Sequence, residues 1–306
     1  MSDLGIVIVN YNTREDLGRC LDSIAASSER HSRQVIVVDN SSSDGSADLV
    51  RETYPWVELI PSAYNGGYAY ANNIGLRALG YDVEQPSAQR PRYALLLNPD
   101  TILPPDALDT LLDYMDEHLD IGVLGPRLVR RDGSLDRACR RGFPTPEVSL
   151  YHILGLAKLF PHSVRFGRYN VTFLDEMVET DVDAVVGAFM LMRGPALEDA
   201  GLLDERFFMY GEDLDLCYRI KAHGWRVHYY PAVTVLHVKG AASRKNTAQA
   251  TAAFYDAMKI FHDKHYRAQY AAPVNWAIDL GVALLRAKAT VTNRLRPAGR
   301  RRVASA

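Results

Sequence analysis

Leu4-Gly5-Ile6-Val7-Ile8-Val9-Asn10-Tyr11-Asn12 is a short apolar run, rich in β-branched residues, that breaks off into three polar ones. Two later segments have the same form, 34–38 (QVIVV) and 93–97 (YALLL). Continuous apolar runs of this length suit parallel strands covered on both faces. Between the first two, Leu17, Leu21, Ile24 and Ala25 recur at helical spacing within 14–28. Segments 46–54 and 68–79 predict further helices, with a short strand over 57–60 between them. This alternation predicts an α/β chain whose sheet is open and mostly parallel, with helices on both faces.

After residue 120 the pattern changes. Short strands are predicted at 122–125 and 127–129, and a helix over 144–160. A long strand is expected over 182–192, bent at Gly187. A helix over 211–223 leads to strands at 226–230 and 233–236, then a long helix over 244–265. This half is expected to mix strand directions and to extend the first sheet. Segment 85–92 is polar and proline-bearing, which predicts a surface loop.

Composition narrows the function classes. The chain has 306 residues, 47% hydrophobic and 24% charged, values of an ordinary globular protein. That length suits two units, or one large α/β domain with appended helices. Lys and Arg total 35 against 37 Asp and Glu, so nucleic acid is not an expected partner. Cys20, Cys139 and Cys217 are far apart, with no CxxC pair. Reduced thiols in a cytoplasmic compartment are expected, not a disulfide framework or a cysteine zinc site. The first residues lack the basic region of a signal peptide, and no run of about 18 apolar residues predicts a spanning helix.

Three polar segments follow the three strands: Asn10-Tyr11-Asn12, Asp39-Asn40-Ser41-Ser42-Ser43-Asp44-Gly45 and Asn98-Pro99-Asp100-Thr101. Ligands of open parallel sheets lie beyond the carboxyl ends of the strands. There Tyr11 can stack on a nucleobase and Asp39 can accept a pyrimidine ring N–H. Asp100 can hold Mg2+ or Mn2+ on a diphosphate, because these hard cations prefer oxygen. Taken singly, each residue also fits a plain turn or cap; their joint placement at successive strand ends favours the ligand reading. Neither GxGxxG nor GxxxxGK[ST] is present. Asp181-Val182-Asp183 precedes a strand and Asp213-Leu214-Asp215 lies in a helix, so neither is the expected metal clamp. Glu212 and Asp213 open a predicted helix, where acids favour the macrodipole or supply a general base. His237, at a strand end, is a packed residue or a ligand beside a metal carboxylate.

With the segments around Asn10, Asp39 and Asp100 go two more, Asn65-Gly66-Gly67-Tyr68-Ala69-x-Ala71-Asn72-Asn73-x-Gly75 and Gly211-Glu212-Asp213-x-Asp215-x-Cys217-x-Arg219. In this order they resemble family 2 glycosyltransferases, most nearly the rhamnosyltransferase-like branch, over about residues 4–240. The resemblance implies a GT-A fold, one continuous mixed sheet with a Rossmann-like nucleotide-binding half flanked by helices. It implies a glycosyltransferase domain at 1–240, with a nucleotide-sugar half at 1–120 and an acceptor half at 121–240. A helical extension with a basic tail would follow at 241–306.

The resemblance further implies inverting, metal-dependent transfer from a nucleotide-diphosphate sugar, dTDP-rhamnose or another donor such as a UDP-sugar. The acceptor would be a lipid-linked or polysaccharide hydroxyl in bacterial surface-glycan synthesis, at the inner face of the cytoplasmic membrane. Asp39 and Tyr11 would bind the base. Asn65, Gly66, Gly67 and Asn73 would shape the wall near ribose and diphosphate. Asp100 would hold the metal, with His237 as a further ligand, and Asp213 of the Glu212–Asp213 pair would be the base. Asn98 stands where the usual clamp has its first Asp, which removes one charge from the metal site. A catalytically silent nucleotide-sugar-binding module is the competing reading, and retention of Asp100 and Asp213 argues against it. A nucleotidyltransferase would need a glycine-rich, lysine-bearing loop in place of Asn10-Tyr11-Asn12-Thr13-Arg14.

The tail at 274–295 carries Trp276, Ile278, Leu280, Val282, Leu284, Leu285, Val291 and Leu295, with Arg286, Lys288, Arg294 and Arg296 interspersed, and Arg300-Arg301-Arg302 follow. It reads as a packing helix with a basic end, or as a peripheral membrane contact through 274–302.

Overall fold

Strand and helix alternate through the first hundred residues in a computed structural model that describes residues 2–81, 89–238, 247–296 and 303. The elements are β1 (Leu4–Asn10), α1 (Arg14–Ala25), β2 (Arg33–Asp39), α2 (Ser46–Thr53), β3 (Glu58–Pro61), α3 (Tyr68–Ala78) and β4 (Tyr93–Leu97). Every residue of β1 is buried, which is why its sequence shows no polar alternation. β1 runs parallel to β2 on one side and β4 on the other, with Asn10 opposite Asp39 and Ile8 opposite Leu97. β3 joins β2 in parallel. The order β3-β2-β1-β4 is that of a Rossmann-like half. α3 lies close on β1 because Gly75 faces Val7; a Cβ at Gly75 would meet Val7 Cγ1 at 2.4 Å.

The second half contributes β5 (Thr101–Ile102), α4 (Ala107–Glu117), β6 (Ile121–Val129), α5 (Pro146–Ile153), α6 (Leu156–Leu159), β7 (Thr180–Asp181), β8 (Phe189–Arg193), α7 (Gly194–Ala200), α8 (Glu212–Ala222) and β9 (Arg226–His237). β8 runs antiparallel between β4 and β6. β9 is parallel to β6 and carries β5 and β7 antiparallel. Among the described residues, nine strands thus form one mixed sheet, ordered β3-β2-β1-β4-β8-β6-β9-β5, with β7 on β9.

The second half adds α4, α7 and β7, which the sequence pattern does not predict, and alters several expected elements. The strand over 182–192 is shortened to Phe189–Arg193, because the preceding backbone bonds elsewhere. Val182 N–H donates to Val227, Ala184 exchanges bonds with Arg141, and Gly187 N–H donates to the Asp213 carboxylate. The helix over 144–160 divides at Gly155, whose φ of +70° is left-handed. The strand pairs at 122–129 and 226–236 are single strands. Their register shifts at Pro126, opposite Tyr230, and resumes with Arg127 opposite Thr234. Pro231 has no N–H to give a ladder, and the bulge takes up that gap.

Two helices follow, α9 (Thr247–His265) and α10 (Ala272–Leu295). Ala257 and Phe261 of α9 join the main core, and His265 and Lys264 each lie 2.7 Å from Asp215. α10 is pinned on α9 by His262–Asn275 and Arg286–Asp256, and by Arg267–Asp279 from the linking turn. The face of α10 turned away leaves Trp276, Leu280, Leu284 and Leu295 exposed. Among the described residues, no helix is long and apolar enough to cross a membrane. Much of the predicted 85–92 loop, residues 244–246 of the predicted long helix, and Arg300, Arg301 and Arg302 lie outside the described residues.

Candidate active site

Strand direction gathers the candidate residues at one edge of the sheet. The carboxyl ends of β2, β1 and β4 present Asp39, Tyr11 and Asp100 in turn. β6 and β9 run the same way, so His237 ends at that edge too, and β5 pairs Thr101 with His237. β8 runs backwards, so the segment entering it arrives there with Gly187, and Gly187 binds Asp213.

Asp39 is buried. Its Oδ1 accepts Asn10 Nδ2 at 2.9 Å and its Oδ2 accepts the Ser42 N–H at 3.0 Å. A carboxylate has about four acceptor positions, so two remain for a ligand. Tyr11 is half-buried beside it. The opposite wall is built on amides: Asn65 Oδ1 accepts from Asn40 Nδ2 (2.9 Å) and from the Gly67 N–H (3.1 Å). The Gly66 N–H donates to Asn40 Oδ1 at 3.1 Å. Asn73 serves this wall indirectly. Its two amide hydrogens go to the Leu203 carbonyl (2.9 Å) and Glu205 (2.8 Å), and its oxygen accepts the Leu203 N–H. It therefore ties α3 to the 203–205 loop and has no N–H left for a ligand.

Gly67 has φ +92°, and a Cβ there would lie 2.3 Å from the Phe208 carbonyl oxygen. That carbonyl accepts the Tyr68 N–H at 2.7 Å. Gly67→Ala is expected to cost at least about 1–3 kcal/mol through backbone strain alone. A thermal melt checks this; an unchanged Tm would show that the wall relaxes freely.

At the other end of the edge, His237 stands between two carboxylates. Its Nε2 is 3.3 Å from Asp100 Oδ1 and its Nδ1 is 2.9 Å from Asp136 Oδ2. Burial alone would lower this imidazole; the bonds to Asp100 and Asp136 outweigh it and push His237 up to about 9. An imidazole backed by a carboxylate on one nitrogen and facing a second carboxylate with the other is the usual setting of a metal-ligating His. Asp100 and His237 thus fit a divalent cation. Among the described residues, no group of three or more His, Cys, Asp or Glu could hold one without help. Asn98 fixes the turn through its backbone, its N–H donating to Ala188 and its carbonyl accepting Thr101 Oγ1.

Asp213 lies at the start of α8 and is buried. Its Oδ2 accepts Arg141 Nη2 at 2.6 Å and the Gly187 N–H at 3.1 Å; its Oδ1 accepts the Leu214 N–H at 2.7 Å. Three of about four acceptor positions are filled. The one left, on Oδ1, is what a base requires. The Tyr68 hydroxyl donates to the Gly187 carbonyl at 2.7 Å, which fixes that peptide. Asp215 faces Arg219, Lys264 and His265 and is structural. Asp181 and Asp183 pair with Arg226 and Lys221.

Glu212 is buried beside Asp213, and its Oε2 has no hydrogen-bond partner. Burial, then the Asp213 charge, pushes it up to about 8, from an ordinary 4.5. The folded chain therefore holds a proton that the unfolded chain releases between those values, so this group lowers stability as pH rises through that window. Glu212→Gln should flatten the fall of Tm from about pH 5 to about pH 8. An unaltered Tm–pH slope would mean that Glu212 titrates normally.

Arg141 and Asp136 are absent from the sequence-based site. Asp136 also accepts the Ala138 N–H. Only the fold brings Arg141 to a carboxylate 72 positions away.

The family model described as "Glycosyltransferase like family 2" matches residues 2–255. The chain belongs to this family. Among similar proteins, the N-acetylglucosaminyl-diphospho-decaprenol L-rhamnosyltransferase of Mycobacterium tuberculosis is 31% identical over 303 residues, covering 98% of this glycosyltransferase and 96% of the relative. Rhamnosyltransferase WbbL of Escherichia coli is 29% identical over 234 residues, covering 76% of this chain and 82% of WbbL. The crystal structure of GalNAc-T7 with UDP, GalNAc and Mn2+ superposes with a TM-score of 0.57 at 14% identity, over 85% of this chain and 47% of that one. That likeness, with the mixed sheet, shows the GT-A fold.

Proposed function

We propose that this glycosyltransferase moves L-rhamnose from dTDP-rhamnose, with inversion, to a hydroxyl of a lipid-linked acceptor in bacterial surface-glycan synthesis. The observation that carries the choice of sugar and acceptor is the end-to-end match to the mycobacterial decaprenol-linked rhamnosyltransferase. Residues 1–240 are the catalytic unit, with the donor half at 1–120 and the acceptor half at 121–240. Residues 241–306 are an extension carrying α9 and α10, and it meets the inner face of the cytoplasmic membrane through 274–302.

Within this reading, Tyr11 stacks on the base and Asp39 accepts its ring N3–H. Asn65, Gly66 and Gly67 line ribose and diphosphate, on a wall that Asn73 holds in place. Asp100 and His237 would hold Mg2+ or Mn2+, and Asn98 borders that site. When bound, the cation stabilises the charge of the departing diphosphate as a Lewis acid. Asp213 Oδ1 takes the proton of the acceptor hydroxyl as that oxygen attacks the anomeric carbon. Attack comes from the face opposite the nucleotide, so one displacement inverts the sugar without an enzyme nucleophile. Arg141 and the Gly187 N–H hold Asp213 in place, and the neutral Glu212 beside it avoids a second buried negative charge.

The test is transfer from a panel of nucleotide sugars to a polyprenyl-diphosphate N-acetylglucosamine in detergent. Transfer from dTDP-rhamnose well above the UDP-sugars is expected. Preference for a UDP-sugar would move the donor assignment, and nucleotide-sugar binding without transfer to any acceptor would favour the silent module.

A further inference from the structure

Residues 143–168 form an excursion whose two ends meet beside the proposed base. The Gly142 N–H donates to the Tyr169 carbonyl at 2.9 Å, and a Cβ on Gly142 would lie 2.6 Å from the Arg168 carbonyl oxygen. The residue before it is Arg141, which holds Asp213. The excursion is built structure: the Thr145 hydroxyl caps α5 by accepting the Val148 N–H, and Gly155 joins α5 to α6.

Its surface does not suit water. Leu150, Ile153, Leu154, Leu159, Phe160 and Val164 are all exposed, from 48% to 70%. Of residues 146–164 only Val148 is buried. Contiguous exposed apolar side chains mark a contact surface. The excursion carries Lys158, Arg165 and Arg168 against Glu147, an excess of cations; Arg165 pairs with Glu147, Arg168 lies 3.8 Å from Asp183, and Lys158 is exposed. An apolar face edged by cations complements a bilayer with anionic headgroups. The root of the excursion also adjoins the C-terminal helices, since the Phe143 ring lies 6.4 Å from that of Phe261 in α9. α9 in turn carries α10, with its exposed Trp276, Leu280 and Leu284.

We propose that residues 150–164 are a platform seated in the anionic membrane surface, which delivers a lipid-linked hydroxyl to Asp213. This rests on the lipid-linked acceptor proposed above and adds where that acceptor docks. The platform is separate from the 274–302 contact, because it is rooted beside Asp213 while α10 is held through α9 and the turn that links them.

The test uses the full-length protein and sedimentation with phosphatidylglycerol–phosphatidylcholine vesicles. Leu154→Glu/Leu159→Glu/Phe160→Glu should lower vesicle partitioning by at least about tenfold. It should leave Tm and dTDP binding unchanged, because all three side chains are exposed. Transfer to a long-chain polyprenyl acceptor in vesicles should fall, while transfer to a short-chain, water-soluble acceptor persists. A second variant, Trp276→Glu/Leu280→Glu/Leu284→Glu, isolates the tail. Loss of vesicle binding in that variant alone, with the first variant binding like wild type, overturns the platform. So does a wild-type dimer in solution that the first variant dissociates, because a second copy would then cover the face. No transfer by wild type to either acceptor would sink the transferase reading instead, and vesicle binding would still decide the platform.

Discussion

Asp213→Asn is expected to lower turnover on the order of 10²–10⁴-fold while leaving nucleotide binding intact. The amide keeps the size of the carboxylate and can still accept from Arg141 and the Gly187 N–H, which both bind Oδ2. It cannot take the proton of an acceptor hydroxyl. Single-turnover kinetics with saturating donor separates this from a binding defect. Near-normal rates would remove Asp213 from the role of base and turn attention to Glu212, whose Oε2 is buried without a partner. Arg141 is argued to act through Asp213, to which it donates at 2.6 Å, so it is a positioning residue.

Asp100→Ala is expected to abolish the enhancement of nucleotide binding by Mn2+, because it removes the one carboxylate that faces His237 Nε2. Asp136→Asn provides a graded comparison. It leaves both proposed ligands in place and weakens the support behind His237, which typically costs about 10–100-fold in metal affinity. Titrating dTDP by calorimetry, with and without Mn2+, reads both. If Asp100→Ala kept the wild-type enhancement, the cation would be held elsewhere.

The first half of the fold is legible in the sequence because its strands are buried on both faces. β1, β2 and β4 appear as unbroken apolar runs, and each ends in the polar residues that line the ligand edge. Asp39 and Asp100 could be singled out on that basis alone. The second half is less legible because its backbone partners are distant. Nothing local in 182–188 shows that its amides bond to Val227, Arg141 and Asp213 in place of a neighbouring strand. The bulge at Pro126 and Pro231 likewise makes one strand look like two. Arg141 was illegible for the same reason: its meaning depends on a carboxylate brought to it by a different helix. Asn73 shows the reverse case, a recognisable motif residue whose amide is wholly engaged in holding a loop.

The backward run of β8 bears on the order in which the molecule takes shape. The pairs among β1, β2 and β3 close over short stretches of chain, whereas the β4–β8 seam joins residues 100 positions apart, such as Tyr93 and Arg193. Distant pairings close later than local ones, and a chain emerging from the ribosome folds its leading part first. A nascent chain can therefore present Asp39 before β8 exists to fix Gly187 and, through it, Asp213. Such a chain has β1, β2 and β3 available to pair but lacks the Gly187 and Arg141 bonds that hold Asp213. The carboxylate at the head of α8 is therefore set in its final place only once the β4–β8 seam has closed.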